Sequence, residues 1–211
     1  MNHWFTSCVP YRRTPKVQAR LDAQREALLE AAVQLLAEQG YAGCSVAAVA
    51  ARAGVATGSV YRHFPGKAEL VAELFRRVVS REVDAVEEAA GQPGDLVQRT
   101  VAVVETFAGR AMKAPRLAYA LLAEPVDALV ETERLVFRRV FRDAFAVRVA
   151  EAVEAGQLPP QDPQVTAAAL VGAVAEVLVG PLSEGAAHPD TIPSLVKFTL
   201  RALGERHATD A

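Results

Sequence analysis

The chain has 211 residues, 51% of them apolar, 23% charged and only 6% aromatic. That apolar share excludes wholesale disorder, and a chain filled out by alanine and leucine rather than aromatics favours helices over a β-sandwich. A net charge of −2 excludes a uniformly basic coat. The charge is nevertheless uneven: residues 1–67 hold eight Lys and Arg against four Asp and Glu, and the rest hold 15 against 21. A basic front on an acidic body points to a polyanion as partner.

Cys8 and Cys44 cannot build a disulfide framework, and no metal-ligand spacing is present, so neither a metal nor a cofactor is expected. The first residues lack a basic stretch followed by an apolar run and a cleavage site. The most apolar stretch, residues 165–182, is interrupted by Glu176 and by glycines, with Pro181 near its end. It reads as a packed helix and not as a membrane span. The expectation is a cytoplasmic protein with no membrane partner.

In chain order, residues 1–16 read as a flexible basic arm, with a start further downstream as the alternative. Leu21, Leu28, Ala32 and Leu35 share one helical face, and Gly40 suits the left-handed position after a helix. Tyr41–Cys44 reads as a short loop. Ser45 can cap a second helix in which Val46, Val49, Ala50 and Ala53 repeat at helical spacing, and Gly54 stops it. A third short helix runs from about Thr57 to His63, broken by Pro65-Gly66. Three short helices with a glycine turn before the last are helix-turn-helix syntax.

A longer helix follows over 67–90, with Gly66 at its N-cap and Glu69 in its first turn. Gly91-Gln-Pro-Gly94 breaks the chain. Further helices are predicted from Asp95 to about Met112, Pro115 to Glu124, Pro125 to Ala155, Pro163 to Leu182 and Thr191 to His207. The fold class is all-α, with about nine helices: a three-helix unit over 17–66 and a helical bundle over 67–211, its first helix the connector.

The small residues of the second helix allow close approach, Val55 and Val60 plug the turn, and Phe64 and Leu70 anchor the unit on the long helix. This leaves Thr57, Gly58, Ser59, Tyr61, Arg62, His63 and Lys67 for the outer face. A short helix of that kind fits the major groove of DNA, and Arg62 is its one long donor, able to make a bidentate contact to guanine.

The tokens AEQGY (37–41), SVAAVAARAGV (45–55), GSVYRHF (58–64) and GKAEL (66–70), in this order, resemble the N-terminal DNA-binding domain of the TetR family of bacterial repressors. The resemblance implies a phosphate contact at Ser45, phosphate clamping by Tyr61 and His63, a further phosphate on Lys67, and base edges facing Thr57, Gly58 and Ser59. Two departures stand out. Ala56 replaces a frequent serine, so the recognition helix lacks a cap worth about 1 kcal/mol. Cys44 stands where many members have threonine. Ala47 and Ala48 are too short to read bases, which shifts weight to DNA shape. Arg12, Arg13, Lys16 and Arg20 have two readings, a minor-groove arm or a solvated tail. Trp4 reads as incidental.

The resemblance further implies a homodimer on a near-palindromic operator and an unidentified small-molecule effector held by the C-terminal domain. The residues proposed for the effector pocket are Phe107, Met112, Tyr119, Phe137, Phe141 and Glu176; plain core is the alternative for each. Val165, Ala169, Gly172, Leu195, Phe198 and Ala202 are proposed for the dimer interface, with an intrachain core as the alternative. No G-x-S-x-G, H-E-x-x-H, P-loop or dinucleotide glycine pattern occurs, so no enzyme is expected. The rivals to a regulator are a helical ligand-binding protein with a merely structural helix-turn-helix, and an enzyme with a helical-bundle active site.

Overall fold

The computed structural model describes residues 14–185 and 188–204, and these form nine helices with no strand. In order they are α1 (Pro15–Gly43), α2 (Val46–Arg52), α3 (Thr57–Tyr61), α4 (Lys67–Ala90), α5 (Leu96–Lys113), α6 (Pro115–Leu122), α7 (Ala128–Glu154), α8 (Pro163–Glu184) and α9 (Thr191–Leu203). Trp4, Cys8, Arg12, Arg13 and the end of the last predicted helix lie outside the described residues.

The helix ends follow local chemistry. Ser45 accepts from Ala48 N at 3.1 Å and so starts α2. Asp95 and Gln98 close a reciprocal capping box at α5, with bonds of 2.8 and 3.0 Å. Asp162 caps α8 through the N–H groups of Gln164 and Val165. Ala56 precedes α3 in an extended conformation with no side-chain bond, as its methyl group dictates.

Two boundaries depart from the sequence reading. Tyr41–Gly43 forms a further helical turn rather than a loop, set at an angle to α1 by Gly40. Gly40 has φ 69° and ψ −171°, a region open essentially to glycine and distinct from the left-handed helical well expected there. The helix α7 begins at Ala128, three residues after Pro125. Asp127, at its N-cap, makes no capping bond, because its carboxylate is taken by the hydroxyl of Tyr41.

The first core joins α1 to α4: Leu28, Leu36, Val49, Val60, Leu70, Leu74 and Phe75 are all under 2% exposed or nearly so. Cys44 lies inside it, with Sγ 3.8 Å from Ala32 O, and burial pushes its thiol up to about 11. The same cluster continues into Ala120 of α6 and Val130 of α7, so α1 rests directly on α6. A second core holds α5, α6, α8 and α9 together through Val104, Ala118, Leu178 and Leu195. A third, with Val149, Leu158, Leu170 and Leu203, closes the far end.

Among the described residues, α8 is long and apolar enough to cross a membrane. It packs instead against α6, α7 and α9. Ala167, Leu170, Ala175, Leu178 and Leu182 form its buried side. Val165 (65% exposed), Ala169, Gly172 and Val177 form an apolar side that none of the described residues covers. On α9, Phe198 is 47% exposed and Ala202 is exposed beside it in sequence register. Leu195 departs from the sequence assignment: it is 2% exposed and belongs to the intrachain core, because it shares the buried side of α9 with Thr199 and Leu203, where it meets α5 and α8, while Phe198 lies at the edge of that side.

Candidate functional site

Val60 is fully buried and fixes the rotation of α3. Its burial forces Thr57, Gly58, Tyr61 and Arg62 outward, all exposed, with Ser59 half-buried at the edge. No side chain fills the space over Gly58. The hydroxyl of Ser45, accepting from Ala48 N, keeps its own O–H free to donate at the head of α2. Thr57, Ser59, Tyr61 and Arg62 therefore form a polar, water-facing ridge of the size that enters a major groove.

The structure adds a residue that the sequence reading missed. Gln24 of α1 accepts from Arg62 Nη2 at 3.1 Å through Oε1, and the same oxygen lies 3.0 Å from His63 Nε2. An amide oxygen only accepts, so Nε2 of His63 carries hydrogen, and that hydrogen is committed to Gln24. Burial, then Arg62 and Arg25, hold His63 below the usual histidine range. Lys67 rests its ammonium 3.7 Å from the centroid of the Tyr41 ring, which orients it at the start of α4. Arg25 spans Phe64 and Glu73, 5.1 Å from the ring centroid and 3.1 Å from the carboxylate.

Tyr41 ties this unit to the bundle. Its N–H donates to Glu124 Oε2 at 2.9 Å and its hydroxyl to Asp127, both in the α6–α7 connection. That connection is itself gripped by Arg134 of α7, which is 8% exposed. The guanidinium donates to Leu121 O (3.0 Å), Ala120 O (3.0 Å) and Glu124 O (2.7 Å), and pairs with Glu131. It thereby satisfies carbonyls that the end of α6 leaves without partners. No sequence signal pointed to Glu124, Asp127 or Arg134, because their partners lie up to 86 residues away.

Arg134 also sits on the wall of an apolar cavity of about 210 Å³ bounded by α4, α5, α6, α7 and α8, with Thr199 of α9 at its edge. Phe107, Phe137 and Phe141 line it, with Phe107 and Phe141 meeting edge-on at 5.8 Å between centroids. Three residues proposed for this pocket lie elsewhere. Met112 and Tyr119 pack into the second core, on faces of α5 and α6 turned towards α8 and α9. Glu176 is exposed on the uncovered side of α8, where its charge stays hydrated. The rim pair of Arg110 and Glu82 is bidentate, at 2.6 and 2.8 Å.

Residues 28–74 match the family model of bacterial regulatory proteins of the tetR family. The match covers this N-terminal segment and makes it similar to the DNA-binding part of that family. The matched segment runs from mid-α1 through α2 and α3 into α4, and so contains the ridge described above. Several curated relatives are named as transcription regulators. The transcriptional activator FasR of Mycolicibacterium smegmatis is 36% identical over 86 residues, 41% of this chain and 39% of the relative. The repressor KstR2 of Mycobacterium tuberculosis is 39% identical over 61 residues, 29% of this chain and 30% of the relative. The chain thus spans only about a third of the length of these relatives. Over the whole fold, the crystal structure of FadR from Bacillus subtilis with stearoyl-CoA superposes with a TM-score of 0.73 at 18% identity, covering 86% of this chain and 99% of FadR.

Proposed function

We propose that the protein is a homodimeric transcriptional repressor that leaves a near-palindromic operator when a small hydrophobic effector fills the α4–α8 cavity. The carrying observation is the ridge of α3, which buries Val60 and turns Thr57, Tyr61 and Arg62 to solvent. Two such ridges, set roughly 34–36 Å apart by a two-fold axis, reach successive major grooves on one side of a duplex. Ser45, Tyr61, His63 and Lys67 hold phosphates and fix register; Thr57, Gly58, Ser59 and Arg62 meet base edges. The uncovered apolar sides of α8 and α9 supply the dimer contact through Val165, Ala169, Gly172, Phe198 and Ala202.

Release follows from the joint at Tyr41. Arg134 touches the cavity on one side and holds the α6–α7 connection on the other, and that connection holds Tyr41, on which Lys67 rests. An effector that moves Arg134 or α6 shifts the head that carries Lys67. Coupling of about 1–3 kcal/mol between the two sites suffices to empty an operator substantially. Loss of the bound protein on filling makes the regulator a repressor wherever the operator overlaps a promoter. Support for the hydrophobic class of effector comes from the aromatic lining and from the likeness of the fold to a FadR that holds stearoyl-CoA.

Gel retardation with the DNA upstream of the protein's own gene tests the reading. Specific retardation that weakens steeply with salt is the expected result. Arg62→Ala is expected to relax preference at one base pair by about 1–3 kcal/mol. Retardation indifferent to sequence would leave a helical ligand-binding protein in its place.

A further inference from the structure

A second cavity, about 230 Å³, adjoins the apolar one. Ala90, Val103, Phe145 and Arg148 line both. The second is polar where the first is not: Arg99, Thr100 and Glu151 join Arg148 on its wall. Each volume falls short of the roughly 300 Å³ at which ligand pockets begin, and the two together exceed it.

The charges along this pair of cavities differ in what they already do. Arg110 is paired bidentately with Glu82. Arg134 is used up by three carbonyls and Glu131. Among the described residues, Arg99 and Arg148 make no ion pair. They come from different helices, α5 and α7, and face one cavity with a single acid, Glu151, beside them. An uncharged apolar ligand would fill the first cavity and leave the second wet. A cation would be set against two arginines.

We propose that the two cavities form one site for an amphipathic anion. Its alkyl or aryl tail lies in the apolar cavity, and its carboxylate or phosphate head meets Arg148 at the junction and Arg99 beyond it. The proposal deepens the effector reading above and rests on it, by naming the chemical class of the effector. A cavity of about 150 Å³ lined by apolar side chains accepts benzene, so the larger cavity here takes a tail of roughly eight carbons.

Isothermal titration calorimetry on the full chain near neutral pH tests this with four probes sharing one tail: octanoate, octyl phosphate, octanol and octyltrimethylammonium. Both anions are expected to bind about tenfold more tightly than octanol, the increment of a hydrogen-bonded charge. Octanoate ahead of octyl phosphate, or the reverse, identifies the head group. Arg148→Glu and Arg99→Glu are each expected to weaken the anions and to admit octyltrimethylammonium, a gain that a misfolded variant cannot give. Arg139→Glu, exposed on the same helix and lining neither cavity, is expected to leave the anions bound.

Octanol binding as tightly as octanoate, charge reversals without effect, or an equal loss of anion binding in Arg139→Glu would each overturn the proposal and leave Arg99 and Arg148 as solvated surface charges. So would failure of all four probes to bind. Gel retardation run in parallel separates this from the regulator reading: specific DNA binding with no anion preference sinks the site alone, and anion binding without specific DNA binding sinks the regulator alone.

Discussion

His63 joins helix packing to a proton balance. Burial and the neighbouring Arg62 and Arg25 hold its pKa below the usual histidine range in the free protein, which favours the neutral ring, and its N–H is spent on Gln24. A phosphate beside it would favour the charged form. The bound state then takes up a proton, and DNA affinity is expected to rise as pH falls from about 7.5 to about 6. Fluorescence anisotropy across that range, with His63→Gln flattening the profile, checks this; a flat wild-type profile removes His63 from the phosphate contacts. The stability of the free protein is expected to follow the opposite trend. A histidine with a depressed folded-state pKa contributes stability present above pH 6.5 and lost below it, as the unfolded chain takes up the proton first.

Helix ends carry the next pair of expectations. Since α3 starts at Ala56 with no side-chain cap, Ala56→Ser is expected to raise unfolding free energy by about 1 kcal/mol. The matching loss should follow Ser45→Ala at α2, where the bond to Ala48 N exists. Urea denaturation measures both. Gly40 and Gly54 both have positive φ, yet their surroundings differ. A Cβ at Gly54 meets nothing within 4 Å, whereas one at Gly40 falls 2.8 Å from the Glu124 carboxylate. Gly54→Ala therefore carries the left-handed cost alone, about 1–2 kcal/mol. Gly40→Ala adds displacement of the group that holds Tyr41 N, so it is expected to be the more destabilising of the two; equal losses would remove the steric argument.

For the molecule as a whole, the Tyr41 joint is open to a double-mutant cycle. Tyr41→Phe and Asp127→Ala are each expected to destabilise, with a coupling energy of about 1 kcal/mol, the usual net value of such a bond. Additive losses would show that the hydroxyl contact holds nothing. The uncovered sides of α8 and α9 make a second global expectation. Gly172 has open space above it and Phe198 is 47% exposed, so Gly172→Glu and Phe198→Glu should leave the fold intact. Sedimentation velocity is expected to find a dimer for the natural chain and a monomer for the variants, whose affinity for the paired site falls with it. An unchanged sedimentation coefficient would place the dimer contact elsewhere.

Local rules were enough for the order of the helices, though not for every boundary, and for the exposed side of α3. Ser45, Gly54, the uncapped Ala56 and the i, i+3, i+4 spacing around Val49 act within a few residues, so their effects could be read directly from the chain. Periodicity also made Phe107, Phe137 and Phe141 eligible for a cavity, but it could not separate them from Met112, Tyr119 and Glu176. Which side of a helix faces a void depends on how five helices meet. The same reason moved Leu195 into the core, because α9 is turned by its contacts with α5 and α8. Tertiary folding alone brought Tyr41 to Glu124 and Asp127, and Arg99 to Arg148. Hydrogen bonds and charges act over a few ångströms of space, and nothing in a sequence separation of 49 or 86 residues encodes that distance.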